Sequence, residues 1–192
     1  MPPSPRIVIR PYDERWPAEF AAVEQRLRAA LGEVALRVDH IGSTSVPGLA
    51  AKDVIDVQVS VADLDDPRVA AGFEILGASP TDIAADHVPP GSTGGPEEWE
   101  KRYFRAPPSW RPTHLHVRAE GRANQRYALL FRDYLRHSDP AAAAYAQVKT
   151  ALARLHPDDA DAYYDVKDPV CDLVMDAAEL WAADVGWAVW SI

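Results

Sequence analysis

The run Val54-Ile55-Asp56-Val57-Gln58-Val59-Ser60-Val61 constrains this chain more than any other segment. Its apolar residues alternate with Asp56, Gln58 and Ser60, which is the period of a β-strand with one apolar and one polar face. β-branched side chains at every second position suit a pleated, buried surface. A carboxylate amid Val54, Ile55, Val57 and Val59 is costly unless it is paired. Asp56 therefore has a salt-bridge partner, such as Lys52 or an arginine, or it faces an open site.

The segments around this strand read as alternating elements. Ile7 to Arg10 and Leu36 to Ile41 read as strands, and between them a helix runs from an N-cap at Asp13 to Leu31, with Pro17 in its first turn and Gly32 ending it. Asp65 or Asp66 before Pro67 starts a short helix that Gly72 or Gly77 ends. Residues 86–96, rich in Pro and Gly, form a long loop suited to cover a site. Lys101 to Ala106 and Thr113 to Ala119 read as two more strands. Helices follow at Ala123 to Arg136, at Pro140 to Leu155 capped by Ser138 or Asp139, and at Asp158 to Lys167, where Pro169 is expected to break the chain from a terminal helix starting at Asp168-Pro169. Strands in the first two thirds and helices at the end predict an α+β fold, a β-sheet flanked by helices with a helical C-terminal third. The 192 residues are expected to form one domain, strand-rich over 6–120 and helical over 121–190.

Composition narrows the function. The formal charge is −9, which argues against duplex nucleic acid as a partner, since that binding draws on Lys and Arg. Residues 100–136, however, hold nine basic and three acidic side chains, a local +6 inside an acidic protein. Such a field suits a small anionic ligand, and solvated helix faces explain the same charges. One cysteine, Cys171, excludes an internal disulfide and a cysteine-based zinc site. No window resembles an export signal or a membrane span, so a cytoplasmic protein without a membrane partner is expected. Trp181, Trp187 and Trp190 either cap the core or seal a dimer, and the oligomeric state is left open.

Two further clusters carry chemistry. His40-Ile41-Gly42-Ser43-Thr44-Ser45-Val46-Pro47-Gly48 links two strands through a turn rich in glycine and hydroxyls, ahead of Lys52. Backbone N–H groups and hydroxyls in such a turn can hold a phosphate, although a plain turn accounts for it too, and it lacks the Gly-Lys-Ser/Thr of a Walker loop. In Thr113-His114-Leu115-His116-Val117 the two imidazoles project to one side of a strand. With Asp56 they make a His/His/Asp set able to hold a divalent metal with open positions. Structural hydrogen bonding is the alternative.

At these residues the chain resembles the GrpB family, bacterial proteins with a nucleotidyltransferase-like fold. The resemblance rests on His-Ile-Gly-Ser-Thr-Ser-Val-Pro-Gly-Leu-Ala-Ala-Lys followed by Val-Ile-Asp-Val, on Thr-His-Leu-His-Val, on Leu-Phe-Arg-Asp-Tyr-Leu and on Tyr164-x-x-Lys167, and spans about Ile7 to Leu180. It implies a mixed β-sheet of nucleotidyltransferase-like topology, with Gly42-Ser43 at the Gly-Ser turn of those enzymes and Asp56 at the first aspartate of their metal pair. The second position is Gln58, a poor ligand for Mg²⁺. A softer ion such as Mn²⁺ or Zn²⁺, held by Asp56, His114 and His116, or a loss of catalysis follows. Related domains occur fused to dephospho-CoA kinase, which points to nucleotide or coenzyme ligands.

The expected function is metal-dependent transfer of a nucleotidyl group from an NTP to a small-molecule or protein acceptor. Gly42, Ser43, Thr44 and Ser45 would cradle the triphosphate, Lys52 and Arg102 would neutralise it, and Tyr164 and Lys167 would close the site. Asp56, His114 and His116 would carry the divalent metal, Mg²⁺, Mn²⁺ or Zn²⁺, or one imidazole would act as general base. The competing expectation is a module that binds a nucleotide or phosphorylated metabolite without turnover. A phosphohydrolase built on the His/His/Asp set is a third.

Overall fold

The computed structural model describes residues 6–189. Most of the N-terminal segment read against an export signal and Trp190 of the tryptophan cluster lie outside the described residues. Five strands form one mixed sheet in the order β1-β2-β5-β4-β3. They are β1 Arg37–Ile41, β2 Ile55–Val61, β3 Ser79–Pro80, β4 Lys101–Arg105 and β5 Thr113–Ala119. β2 lies between β1, which runs antiparallel, and β5, which runs parallel, and β4 pairs antiparallel with β5. The fold is α+β, with a mixed sheet flanked by helices and a helical C-terminal third, as the order of sequence patterns predicts.

The apolar face of β2 sets the core. Ile55, Val57, Val59 and Val61 are fully buried and join Val38 of β1, Phe104 of β4 and Leu115 and Val117 of β5. Against this face pack α1 (Trp16–Leu31), through Val23, Leu27 and Leu31, and α2 (Pro67–Ile75), through Val69 and Phe73. Phe73 stacks on Phe104 with ring centroids 4.0 Å apart. Gly72 lies inside α2 rather than ending it, because a Cβ there would strike Leu31 of α1. Asp66 caps α2 by accepting from Arg68 N–H, as its sequence signature predicts. In α1 the cap position falls instead on Arg15, and Asp13, two residues earlier, accepts its N–H.

The opposite, polar face of the sheet is covered by α3 (Ala123–His137), α4 (Asp139–Leu155) and α5 (Ala160–Val185). Ser138 caps α4 through Ala141 N–H. Leu130 of α3 buries against Met175, Ala178 and Ala182 of α5, with Trp181 and Trp187 over this seam. Those two tryptophans thus cap a helix contact. Among the described residues no helix is long and apolar enough to cross a membrane.

Two expectations are corrected. Ile7 to Arg10 is no strand: it pairs only through an isolated bridge, Arg10 to Ala51, while Ile7 buries against Leu152, Ala153 and Tyr163. Its backbone is satisfied by loops, the Ile7 N–H donating to Pro157 O at 2.7 Å. Pro169 does not divide the last two helices, for α5 runs through it without a break. A proline inside a helix costs about 3 kcal/mol, and burial of Tyr163 and Cys171 on either side of Pro169, continued by Met175, Ala178 and Ala182, offsets it. Because Pro169 itself is exposed, Pro169→Ala should restore a helix hydrogen bond at no packing cost. Chemical denaturation should then show a gain of about 1–3 kcal/mol, and a loss would mean that α5 needs proline at this position.

Candidate active site

The parallel register of β2 and β5 sets Asp56 beside His114, Gln58 beside His116 and Ser60 beside Arg118. These side chains, with Lys101 and Tyr103 from β4, face away from the core. Between them and α3 to α5 lies a cavity of about 400 Å³, within the usual range for small-molecule sites. Gly42, Ser43, Thr44, Lys52, Asp56, His114, His116, Tyr164 and Lys167 all line it.

Asp56 is the centre of the arrangement. His114 Nδ1 lies 2.8 Å from Asp56 Oδ1 and His116 Nε2 lies 3.9 Å from it. Burial pushes the carboxyl up, but the hydrogen bond from His114 and the nearness of both imidazoles outweigh it and hold Asp56 well below the ordinary carboxylate range. One ligand atom from each of these three residues can be chosen so that all lie within 4.8 Å of one another. Gly42, at φ +69°, sits so close that a Cβ would overlap the Asp56 carboxylate. The glycine of the turn is therefore required twice, for its left-handed backbone and for this approach.

The hydroxyls of the turn divide. Ser43 Oγ accepts from Lys149 Nζ at 2.7 Å, while Thr44 Oγ1 donates to Val54 O and lies 3.0 Å from His40 Nε2. Ser45 Oγ donates to Gly42 O at 2.5 Å and closes the turn outside the cavity lining. On the helical side, Lys52 Nζ donates to Tyr164 OH at 2.5 Å, and Lys167 Nζ lies 3.3 Å from Asp168 Oδ1.

Arg102 stands apart. Strand alternation turns it to the other face of β4, with Phe104, where it pairs with Asp65. Its neighbour Lys101 faces the cavity instead. Lys101 belongs to a second buried cluster, in which Asp86, at the root of the 86–95 loop, accepts from Lys101 Nζ (2.6 Å), Arg118 Nε (2.8 Å) and Asn124 Nδ2 (3.1 Å). Burial raises the Asp86 carboxyl, but Arg118 and Lys101 reverse this and hold it low. Arg118 Nη1 also donates to Gln58 Oε1 at 2.6 Å, and Gln58 Nε2 donates to Gln125 O. Gln58 is fully buried and spends its amide in this network. The loop itself is fastened across the cavity by His87 Nε2, 2.8 Å from Asp172 Oδ2 on α5.

Sequence reasoning missed Lys149. It is 2% exposed, bonds Ser43 Oγ and Ala50 O at 2.7 Å each, and has no carboxylate partner among the described residues. Burial, with Lys167 and Lys52 nearby, lowers its ammonium to about 7. A signal existed: Tyr145, Lys149, Leu152 and Ala153 share the buried stripe of α4, where a lysine is out of place.

The chain resembles known proteins along most of its length. The family model described as GrpB protein matches residues 6–177. A dephospho-CoA kinase of Mycolicibacterium paratuberculosis is 38% identical over 196 residues, covering 92% of this chain and 47% of that protein. The chain thus spans about half the length of that relative. The UPF0157 protein BH1888 of Halalkalibacterium halodurans is 34% identical, with 92% of this chain and 85% of that protein covered. The crystal structure of the conserved protein GrpB from Enterococcus faecalis superposes with a TM-score of 0.71 at 31% identity, covering 91% of this chain and 99% of that one.

Two imidazoles, His40 buried and His116 half-buried, make stability depend on pH. Burial lowers both His40 and His116 to about 4, Asp56 opposing it in each case. An unfolded histidine titrates near 6.5, so between about 6.5 and 4 the unfolded chain binds protons that the folded chain refuses. Stability is then full above pH 6.5 and falls as the pH drops through this window. Denaturation at pH 7 and pH 4.5 should show the loss, and His40→Gln should flatten the slope; an equal slope would remove His40 as a source.

Proposed function

The chain belongs to the GrpB family, and from that premise we propose that it transfers a nucleotidyl group from an NTP to a small-molecule or protein acceptor with the help of a divalent metal. The observation that carries this reading is that one cavity holds both an Asp/His/His donor set and a buried lysine with no carboxylate partner among the described residues. A lysine buried without a counter-ion, its ammonium lowered to about 7, is held charged by an anionic ligand.

Asp56, His114 and His116 fit a metal, because their ligand atoms converge within 4.8 Å and combine two nitrogens with one oxygen. That donor set suits Mn²⁺ or Zn²⁺ better than Mg²⁺, which prefers oxygen. When bound, such an ion supplies Lewis-acid charge at phosphoryl oxygens. Ser43 and Lys149, with Lys52 and Lys167 at the helical wall, hold the polyphosphate. Thr44 positions the turn, and the Tyr164 hydroxyl positions Lys52. In the reaction an acceptor oxygen bonds to the α-phosphorus, the bond to the β-phosphate oxygen breaks, pyrophosphate leaves, and the acceptor proton passes to solvent, or to one imidazole of the pair where that imidazole serves as base instead of metal ligand.

Gln58 favours a second reading, a nucleotide- or phosphometabolite-binding module without turnover, since its amide is committed to Arg118 and Gln125 and leaves the metal set with one carboxylate. Assaying pyrophosphate release with each NTP, Mn²⁺, Mg²⁺ or Zn²⁺ and a panel of acceptors separates the two. Turnover should fall at least about 100-fold in Asp56→Asn, and Lys149→Met should weaken NTP binding about tenfold. Ligand-induced thermal stabilisation without pyrophosphate would leave the binding module. Neither signal with any nucleotide would sink both readings.

A further inference from the structure

Resting on the reading of the cavity as a nucleotide site, we propose that its end at Trp99, Asn124 and Tyr127 is a recess for the planar base, with the phosphates reaching toward Ser43 and Lys149. Two residues of the lining each carry a buried polar atom with no hydrogen-bond partner, Trp99 Nε1 and Asn124 Oδ1. Their residues are 6% and 2% exposed. The orientation of the amide is fixed, because Asn124 Nδ2 donates to Asp86 Oδ2 at 3.1 Å and to Glu100 O at 2.8 Å, both of them acceptors. What is left over is one indole donor and one amide acceptor.

Buried polar groups are left unpaired at a cost, and those that persist commonly await a ligand. Trp99 and Asn124 are neighbours: the carbonyl bonded by Asn124 belongs to the residue after Trp99, and Glu98 Oε2 accepts from Ala123 N–H at the start of α3. Every nucleobase carries an acceptor beside a donor on its pairing edge, which is the complement of this pair. Aromatic rings supply the walls. Trp99 meets Tyr127 edge-on at 6.0 Å, Tyr127 stacks with Phe131 at 6.3 Å, and Phe131 meets Tyr145 at 5.3 Å. The ladder ends beneath Lys149, whose Nζ lies 4.6 Å from the Tyr145 ring centroid. Planar faces and an orphaned donor and acceptor thus mark one end, and an ammonium without a carboxylate partner marks the other. Lys101 and Arg118, which line the cavity from β4 and β5, are already taken by Asp86, which leaves that end better suited to a neutral ring than to phosphate.

Isothermal titration of the full chain with ATP, CTP, GTP, UTP and inorganic triphosphate, under one divalent-metal condition, tests this. In the parent protein at least one nucleotide should bind tighter than inorganic triphosphate. Trp99→Phe, which keeps a ring and removes the N–H, and Asn124→Leu should each cut that nucleotide affinity about tenfold while leaving inorganic triphosphate unchanged. Unchanged triphosphate binding also reports that a variant is folded, and Trp99→Phe alone decides the matter if Asn124→Leu does not fold. Nucleotides binding no tighter than inorganic triphosphate, or tighter binding that survives Trp99→Phe, overturns the base recess and leaves the phosphate site standing. Absence of binding by any of the five overturns the nucleotide reading and the recess together.

Discussion

A carboxylate on an inner strand of a sheet must be stabilised or the strand cannot be buried, and here Asp56 on β2 is stabilised by two imidazoles from the parallel neighbour β5. The three groups come together because strand alternation sends them to one side while Val57, Val59, Leu115 and Val117 enter the core on the other. Packing of α1 and α2 on the apolar side therefore fixes the pairing on the polar side, since a slip of one residue would exchange the faces. Gly42 is drawn into the same arrangement, as its bare backbone is what allows the turn to close against the Asp56 carboxylate.

A second charge compensation supports the first. Lys101 and Arg118 share Asp86, and the amide of Gln58 completes the set by accepting from Arg118 and donating to Gln125 O. A carboxylate at position 58 would have no hydrogen to donate to that carbonyl. The departure from an Asp-x-Asp pattern thus has a structural role in this chain. The same cluster roots the 86–95 loop, so the segment that spans the cavity is held by groups on its floor as well as by His87 on α5.

Much of the site was legible because alternation in a strand and spacing in a helix are local. Asp56, His114 and His116 could be assigned to common faces from residue order alone. Arg102 shows the limit: in a short strand carrying Lys101, Arg102 and Arg105, which face meets the site depends on the register of β4 against β5, and that is set by Tyr103 opposite His116. Ser45 looked equivalent to Ser43, yet the tight turn spends its hydroxyl on Gly42 O. Lys149 sits 106 residues from Ser43 and meets it only because α4 packs against the segment that follows β1, through Val46, Leu49 and Tyr145.

Residue order by itself determined the α+β class, the two-faced strand that carries Asp56, the glycine turn and the imidazole pair, since each follows from periods of a few residues. Tertiary structure alone decided that α5 continues through Pro169, that Ile7 to Arg10 stays out of the sheet, and that Gln58 is consumed by Arg118 rather than aimed at the cavity. The physical reason is the same in each case. Local preferences of a few kcal/mol per site are outweighed when burial and hydrogen bonding with distant segments act on the same residues, and which distant segments meet is a property of the assembled sheet and helices.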